Sequence, residues 1–179
     1  MRKKIHWITR TAAMLAMLIA LQWLTKPAGQ LVTGSCVNAV LAVSVLFCGI
    51  SSGMTVALLS PVFAYLFGIA PQILTVPVIM IGNAAFVAVL YFAAGKGILR
   101  SAIALLGAAL CKFVLLYVLV RYGICGILAD ALIGQGLLKT PMLSALPVTF
   151  GALQLATALI GGAVALLIVP VLKKALHQN

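Results

Sequence analysis

Four polar side chains stand out in a chain that is 65% hydrophobic: Asn38, Asn83, Lys112 and Gln154. Each falls in a different apolar segment. Counted inward from one end of those segments, they lie about four to nine residues deep, roughly 6–14 Å at 1.5 Å per helical residue. An ionisable residue inside a span is costly and usually faces a bundle interior or a cavity. No acid lies within the spans to pair with Lys112, because the only acid in the chain, Asp130, falls in a connection. Three readings of Lys112 stay open. It snorkels to the headgroups, it pairs with Asp130, or it faces a pocket and favours a ligand with a carboxylate, phosphate or strong acceptor. Asn38, Asn83 and Gln154 each carry donors and acceptors. Singly, each could bond helix to helix, worth about 0.6 kcal/mol on average. Together at similar depth they suggest a pocket lining. Trp23, Tyr65, Tyr117 and Tyr122 near segment ends fit an interfacial belt, with stacking on a flat ligand ring as the alternative.

The elements that position these residues follow from composition. Only 7% of the 179 residues are charged, against about a quarter in soluble domains. Mean hydropathy is +1.28. So few charges cannot cover a water-soluble surface, so the chain reads as an all-α integral membrane protein with one domain over residues 1–179. Punctuation by Gly, Pro and charge gives a bundle of about six transmembrane helices, at roughly 7–25, 34–49, 53–69, 74–93, 100–121 and 147–171. The second and third are short, and "CGISSG" between them reads as a tight turn. A competing division fuses parts of both into one span, giving five.

Twelve Lys and Arg against one acid give a formal charge of +11. That balance would suggest nucleic acid in a soluble protein. Here most basic residues flank apolar segments, which is topology, so no nucleic-acid partner is expected. With the N-terminus inside, the cytoplasmic side holds Arg2, Lys3, Lys4, Arg10, Lys96, Arg100, Lys173 and Lys174. The outer side holds Lys26, Arg121 and Lys139. The expectation is a multi-pass cell-membrane protein with both termini cytoplasmic. Three outer connections then matter: "TKPAGQLVTGS", "GIAPQILTVP" and the long apolar stretch from Tyr122 to Pro147. Part of the last should form a short helix on the outer face. Irregular backbone over a bundle suggests a lid over a pocket.

Other chemistry lacks its residues. Cys36, Cys48, Cys111 and Cys125 have no metal spacing and read as small apolar-context residues. His6 and His177 sit at opposite ends, so neither metal site nor cofactor is expected. There is no GxxxxGK[ST], no HExxH, no Ser/His/Asp set and no paired carboxylates, so the chain does not read as an enzyme. Arg2-Lys3-Lys4 before an apolar stretch has a signal-peptide outline, but "LTKPAGQ" offers no clean cleavage site, and the segment reads as a retained helix. Uphill transport would need a partner to supply the work.

"RTAAMLAMLIALQW" carries Ala12, Ala16 and Ala20 at intervals of four, on one helix face. This stripe, the basic N-terminus, the size and the six segments resemble the substrate-binding S component of an energy-coupling factor (ECF) transporter. "GQLVTGSCVN" (29–38), Gly82-Asn83 and "QLATALIGG" (154–162) are also similar to segments of such proteins. The resemblance covers nearly the whole chain. It implies that the alanine stripe docks on a transmembrane coupling subunit that joins two ATPase subunits. It implies a vitamin or related micronutrient bound at the outer face, with no catalysis. The stripe could instead pack against the protein's own helices. The competing functions are a self-standing carrier or facilitator, and a structural membrane protein without a ligand.

Overall fold

The computed structural model describes residues 2–70, 72–95 and 97–176, with the side chains of Arg2 and Lys3 excluded. Lys96 and His177 therefore lie outside the described residues. Eight α-helices run through these residues, with no strand among them. They are α1 (Arg2–Thr25), α2 (Gln30–Val43), α3 (Ile50–Leu66), α4 (Thr75–Ala93), α5 (Ile98–Val118), α6 (Ala129–Gly134), α7 (Met142–Thr149) and α8 (Ala152–Ala175). A π-helical turn, Ser44–Cys48, continues α2, and another, Leu119–Ile127, continues α5.

Five helical stretches are long and apolar enough to cross a membrane: Lys4–Ala28, Gln30–Cys48, Thr75–Ala93, Ile98–Ile127 and Met142–Ala175. The third expected segment becomes α3, apolar but only 17 residues long. That is about 26 Å, against a hydrocarbon core of about 30 Å.

Boundaries differ from expectation where glycine decides them. Gly49 at φ 94° is the whole break between α2 with its π turn and α3. Ile50 to Gly53 already belong to α3, so the expected "CGISSG" turn shrinks to one residue. Gly29 at φ 84° ends the first connection, and Gln30 to Gly34 are helical rather than loop. The left-handed region costs glycine little, which is why single residues suffice. The stretch from Tyr122 to Pro147 is mostly helical too, through the second π turn, α6 and α7.

Hydrogen bonds order the two ends of the bundle. Thr11, in the first half of α1, and Ser52, near the start of α3, share a 2.7 Å bond. Near their other ends, Lys26 Nζ donates to Phe67 O at 2.9 Å. Thr33 Oγ1 donates to Thr25 O, tying the start of α2 to the end of α1. A core of Leu41, Val56, Phe86, Val87, Leu90, Leu105 and Ala108 fills the middle. A second cluster, with Leu116, Val120, Ile124, Leu138, Leu146 and Phe150, packs under α6 and α7.

Helices α2 and α8 pack closely, and small residues permit it. A Cβ on Gly34 would meet the Thr157 side chain at 2.9 Å. A Cβ on Gly161 would meet backbone atoms of α2, among them Ala39 N at 2.7 Å. Close approach of small residues is the usual route to tight helix pairs in membranes. Here it brings Asn38 on α2 beside Thr157 on α8. Backbone cannot swing aside as a side chain can. Gly161→Ala should therefore lower stability in detergent by about 1–3 kcal/mol, an overpacking cost. Gly107→Ala, whose nearest obstacle is Val89 at 3.9 Å, should be neutral or stabilising. Thermal unfolding of both variants checks this, and equal melting temperatures would contradict the close approach.

Candidate functional site

Asn38, Asn83, Lys112 and Gln154 line one cavity of about 80 Å³. Its remaining wall includes Gln22, Gln30, Thr33, Val37, Ser60, Pro61, Ala64, Ile69, Ile79 and Phe150. Below it lies the packed core, with Phe86, Val87 and Leu90 fully buried. Gln30, just after the first connection, and Ile69 and Ala70, in the second, form its rim.

Lys112 is 2% exposed. Its Nζ donates to Asn38 Oδ1 at 2.6 Å and to Asn83 Oδ1 at 2.8 Å. The ring of Phe86 lies 5.6 Å away, within cation–π range. Of the three readings of Lys112, this geometry matches the pocket-facing one. The side chain is turned inward and not toward headgroups, and Asp130 sits on exposed α6 away from these contacts.

Each asparagine is itself held. Asn38 Nδ2 donates to Gly34 O at 2.9 Å and to Thr157 Oγ1 at 3.3 Å. Thr157 in turn donates to Gln154 O at 3.1 Å. Asn83 Nδ2 donates to Ser60 Oγ at 3.3 Å and makes a long 3.5 Å contact to Ala57 O. That last contact has a cause in sequence. Pro61 lies inside α3, and without an N–H it cannot donate to the carbonyl four residues earlier. That carbonyl is Ala57 O, and Asn83 supplies the donor the proline lacks. The asparagine oxygens face Lys112 and their Nδ2 donors are committed to the protein, so the cluster holds an ammonium and no carboxylate. Among the described residues no three His, Cys, Asp or Glu side chains come together as a metal site.

Three features escaped the sequence reading. Gln22 is 3% exposed and lines the cavity, and its Oε1 is buried without a hydrogen-bond partner. Its spacing could have revealed it, because Thr11, Leu18 and Gln22 share one helical face and are the buried residues of α1. Ser60 and Pro61 could have been suspected from a proline in mid-span. Phe150 closes one wall from the turn before α8, which only the folded connection reveals. Conversely, Trp23, Tyr65, Tyr117 and Tyr122 do not line the cavity. Trp23 and Tyr122 are about three-fifths exposed, and Trp23 packs edge-on to Phe67 at 5.7 Å.

Ala12, Ala16 and Ala20 are all exposed. Leu18, buried, lies about 160° around the helix from Ala16 and Ala20. The stripe thus points away from the protein's own helices and does not pack between them. The α1 span is also the least enclosed, with 17% of its apolar window buried against 33–44% for the other four.

No protein-family model, curated protein or solved structure matches the chain.

Hydrogen bonds to a charged group contribute about 1.5–3 kcal/mol each when buried. Asn83→Leu should lower unfolding stability by about that amount. In a double-mutant cycle with Lys112→Met, the two losses should fall short of additivity by about 1 kcal/mol or more. Additive losses in denaturant titrations would mean that the two side chains do not interact.

Proposed function

We propose that the chain is a membrane-embedded substrate-binding subunit, of the S-component kind, for an ATP-driven importer. It captures a small vitamin-like molecule at the outer face and passes it on through partner subunits. The observation that carries this reading is the blind cavity. It is lined by one cation, two asparagines and glutamines, and it ends on a sealed apolar core. A channel or facilitator needs a path through the bundle, and Lys112, although it joins helices through two asparagines, has no carboxylate beside it among the described residues. A ligand carboxylate or other strong acceptor would complete the contacts of Lys112.

Topology and surface support the same reading. Among the described basic side chains, Lys4, Arg10, Arg100, Lys173 and Lys174 cluster toward the end of the bundle opposite the cavity, whereas Lys26, Arg121 and Lys139 stand on the cavity side. By the positive-inside rule the cavity then opens outward, six helices cross, and both termini are cytoplasmic. The alanine stripe on peripheral α1 is a flat face where another helix could approach closely. In this reading it receives a transmembrane coupling subunit that carries two ATPases.

Co-expression with such a coupling subunit and its ATPases, followed by capture on a tag on this chain, tests the reading. All three partners should co-purify, and mass spectrometry should find a small molecule carried along. Replacing Ala12, Ala16 and Ala20 by Trp should abolish capture and leave the small molecule bound. Lys112→Ala and Asn83→Ala should lose the small molecule and leave capture intact. Wild-type chain that captures no partner and carries no small molecule would overturn the reading.

A further inference from the structure

Gln154, the third residue of α8, is 8% exposed and lines the cavity. Its backbone is bonded: the N–H donates to Gly151 O at 2.9 Å, and the carbonyl accepts from Thr157 Oγ1 at 3.1 Å. Its side-chain amide bonds to none of the described residues, yet neither amide atom is sealed off. Among the described residues Gln22 Oε1 alone is both unpartnered and shut away. The Gln154 amide therefore opens into the cavity whose wall it forms.

The neighbouring polar groups of that wall are committed. Thr33 and Thr149 donate their hydroxyls to Thr25 O and Ala145 O. Asn38 and Asn83 turn their oxygens to Lys112 and their nitrogens to the protein. Ser60 accepts from Asn83, and Gln30 stands on the exposed rim. Below that rim, Gln154 is the wall side chain whose donor and acceptor are both open and uncommitted.

A side-chain amide presents one acceptor oxygen and a donor nitrogen side by side in one plane. A molecule that displaces water from both atoms must replace both bonds or bind more weakly. A ketone or ester meets the nitrogen and leaves the oxygen facing nothing. A carboxylate sets an acceptor against an acceptor. A primary carboxamide or a lactam carries C=O and N–H on one edge and meets both atoms at once. Turning the Gln154 amide over exchanges the two bonds and keeps the match.

We propose that Gln154 is a specificity-determining residue of the cavity, pairing edge to edge with a carboxamide or lactam of the ligand. The assignment rests on the binding reading above and names the chemical class that the cavity takes. A volume of about 80 Å³ holds about five to eight water-sized groups, at roughly 10–15 Å³ each. The ligand, or the end of it that enters, is correspondingly small.

The test is isothermal titration of the full chain in lipid nanodiscs with two matched pairs of probes. Succinamate and 4-oxopentanoate differ by an amino group in place of a methyl. 2-Pyrrolidinone and γ-butyrolactone differ by a ring N–H in place of a ring oxygen. All four have about six to eight non-hydrogen atoms, within the size of the cavity. In at least one pair the amide should bind roughly tenfold more tightly than its counterpart. Gln154→Met, similar in length and without the amide, should erase that preference. It should also melt no lower than wild type, because the amide it removes has no partner among the described residues. The comparison within each pair is made on the wild-type chain, so it holds even where the variant folds poorly.

Equal affinity within both pairs overturns the assignment. So does an amide preference that survives in Gln154→Met, or no binding by either amide. If the small molecule carried through purification bears neither carboxamide nor lactam, the assignment falls and the binding reading stands. If no small molecule accompanies the chain and no partner is captured, the binding reading falls with it.

Discussion

One ammonium group joins most of this bundle. Lys112 on α5 holds Asn38 on α2 and Asn83 on α4. Through those asparagines the network reaches Thr157 on α8 and Ser60 on α3. Five of the six long helices therefore meet in one set of hydrogen bonds. In an apolar interior a cation without partners is expensive, so these helices are constrained to bring oxygens to it. The glycine contacts between α2 and α8 and the proline in α3 serve that constraint. The first lets Asn38 reach Thr157, and the second frees the Ala57 carbonyl that Asn83 approaches.

The same interaction leaves something undone. Two amide oxygens solvate Lys112, but they do not neutralise it. A buried charge is normally balanced by a counter-charge as well as by hydrogen bonds, and the only acid in the chain stands on exposed α6. The cavity above Lys112 is where a counter-charge would enter. Gln22 is among its lining residues, with its Oε1 buried and unpartnered. Lys112 thus faces a space lined by polar and apolar side chains alike, among them Thr33, Ser60, Gln154, Val37 and Ile79. Across α1, the alanine face is bare while the opposite face is committed to the bundle. One helix thereby contributes a wall of the cavity and an exposed surface.

Much of this was legible in the residues. Lys112, Asn38, Asn83 and Gln154 could be grouped because polar side chains are conspicuous in apolar segments and depth follows from counting along a helix. The all-helical architecture followed from long apolar runs punctuated by glycine and proline. What could not be read were features that depend on which faces meet. Gln22 lay near a segment end, where a polar side chain is unremarkable, and only the packing of α1 on α2 and α3 buries it. The aromatic residues nearest the ends were visible, yet Phe150, which does line the cavity, sits in the turn before α8. The connections were harder still. Gly29 and Gly49 each end a helix with a single left-handed residue, so the loops are shorter than polar composition suggests.

Lys112 is held inside the bundle rather than reaching outward, and solid-state NMR in phospholipid bilayers measures that directly. With Lys labelled at ¹⁵Nζ and Asn at ¹³Cγ, the Lys112 nitrogen should show dipolar couplings to both Asn38 and Asn83 and none to lipid ³¹P. Coupling to lipid phosphorus, with no coupling to either asparagine, would contradict it.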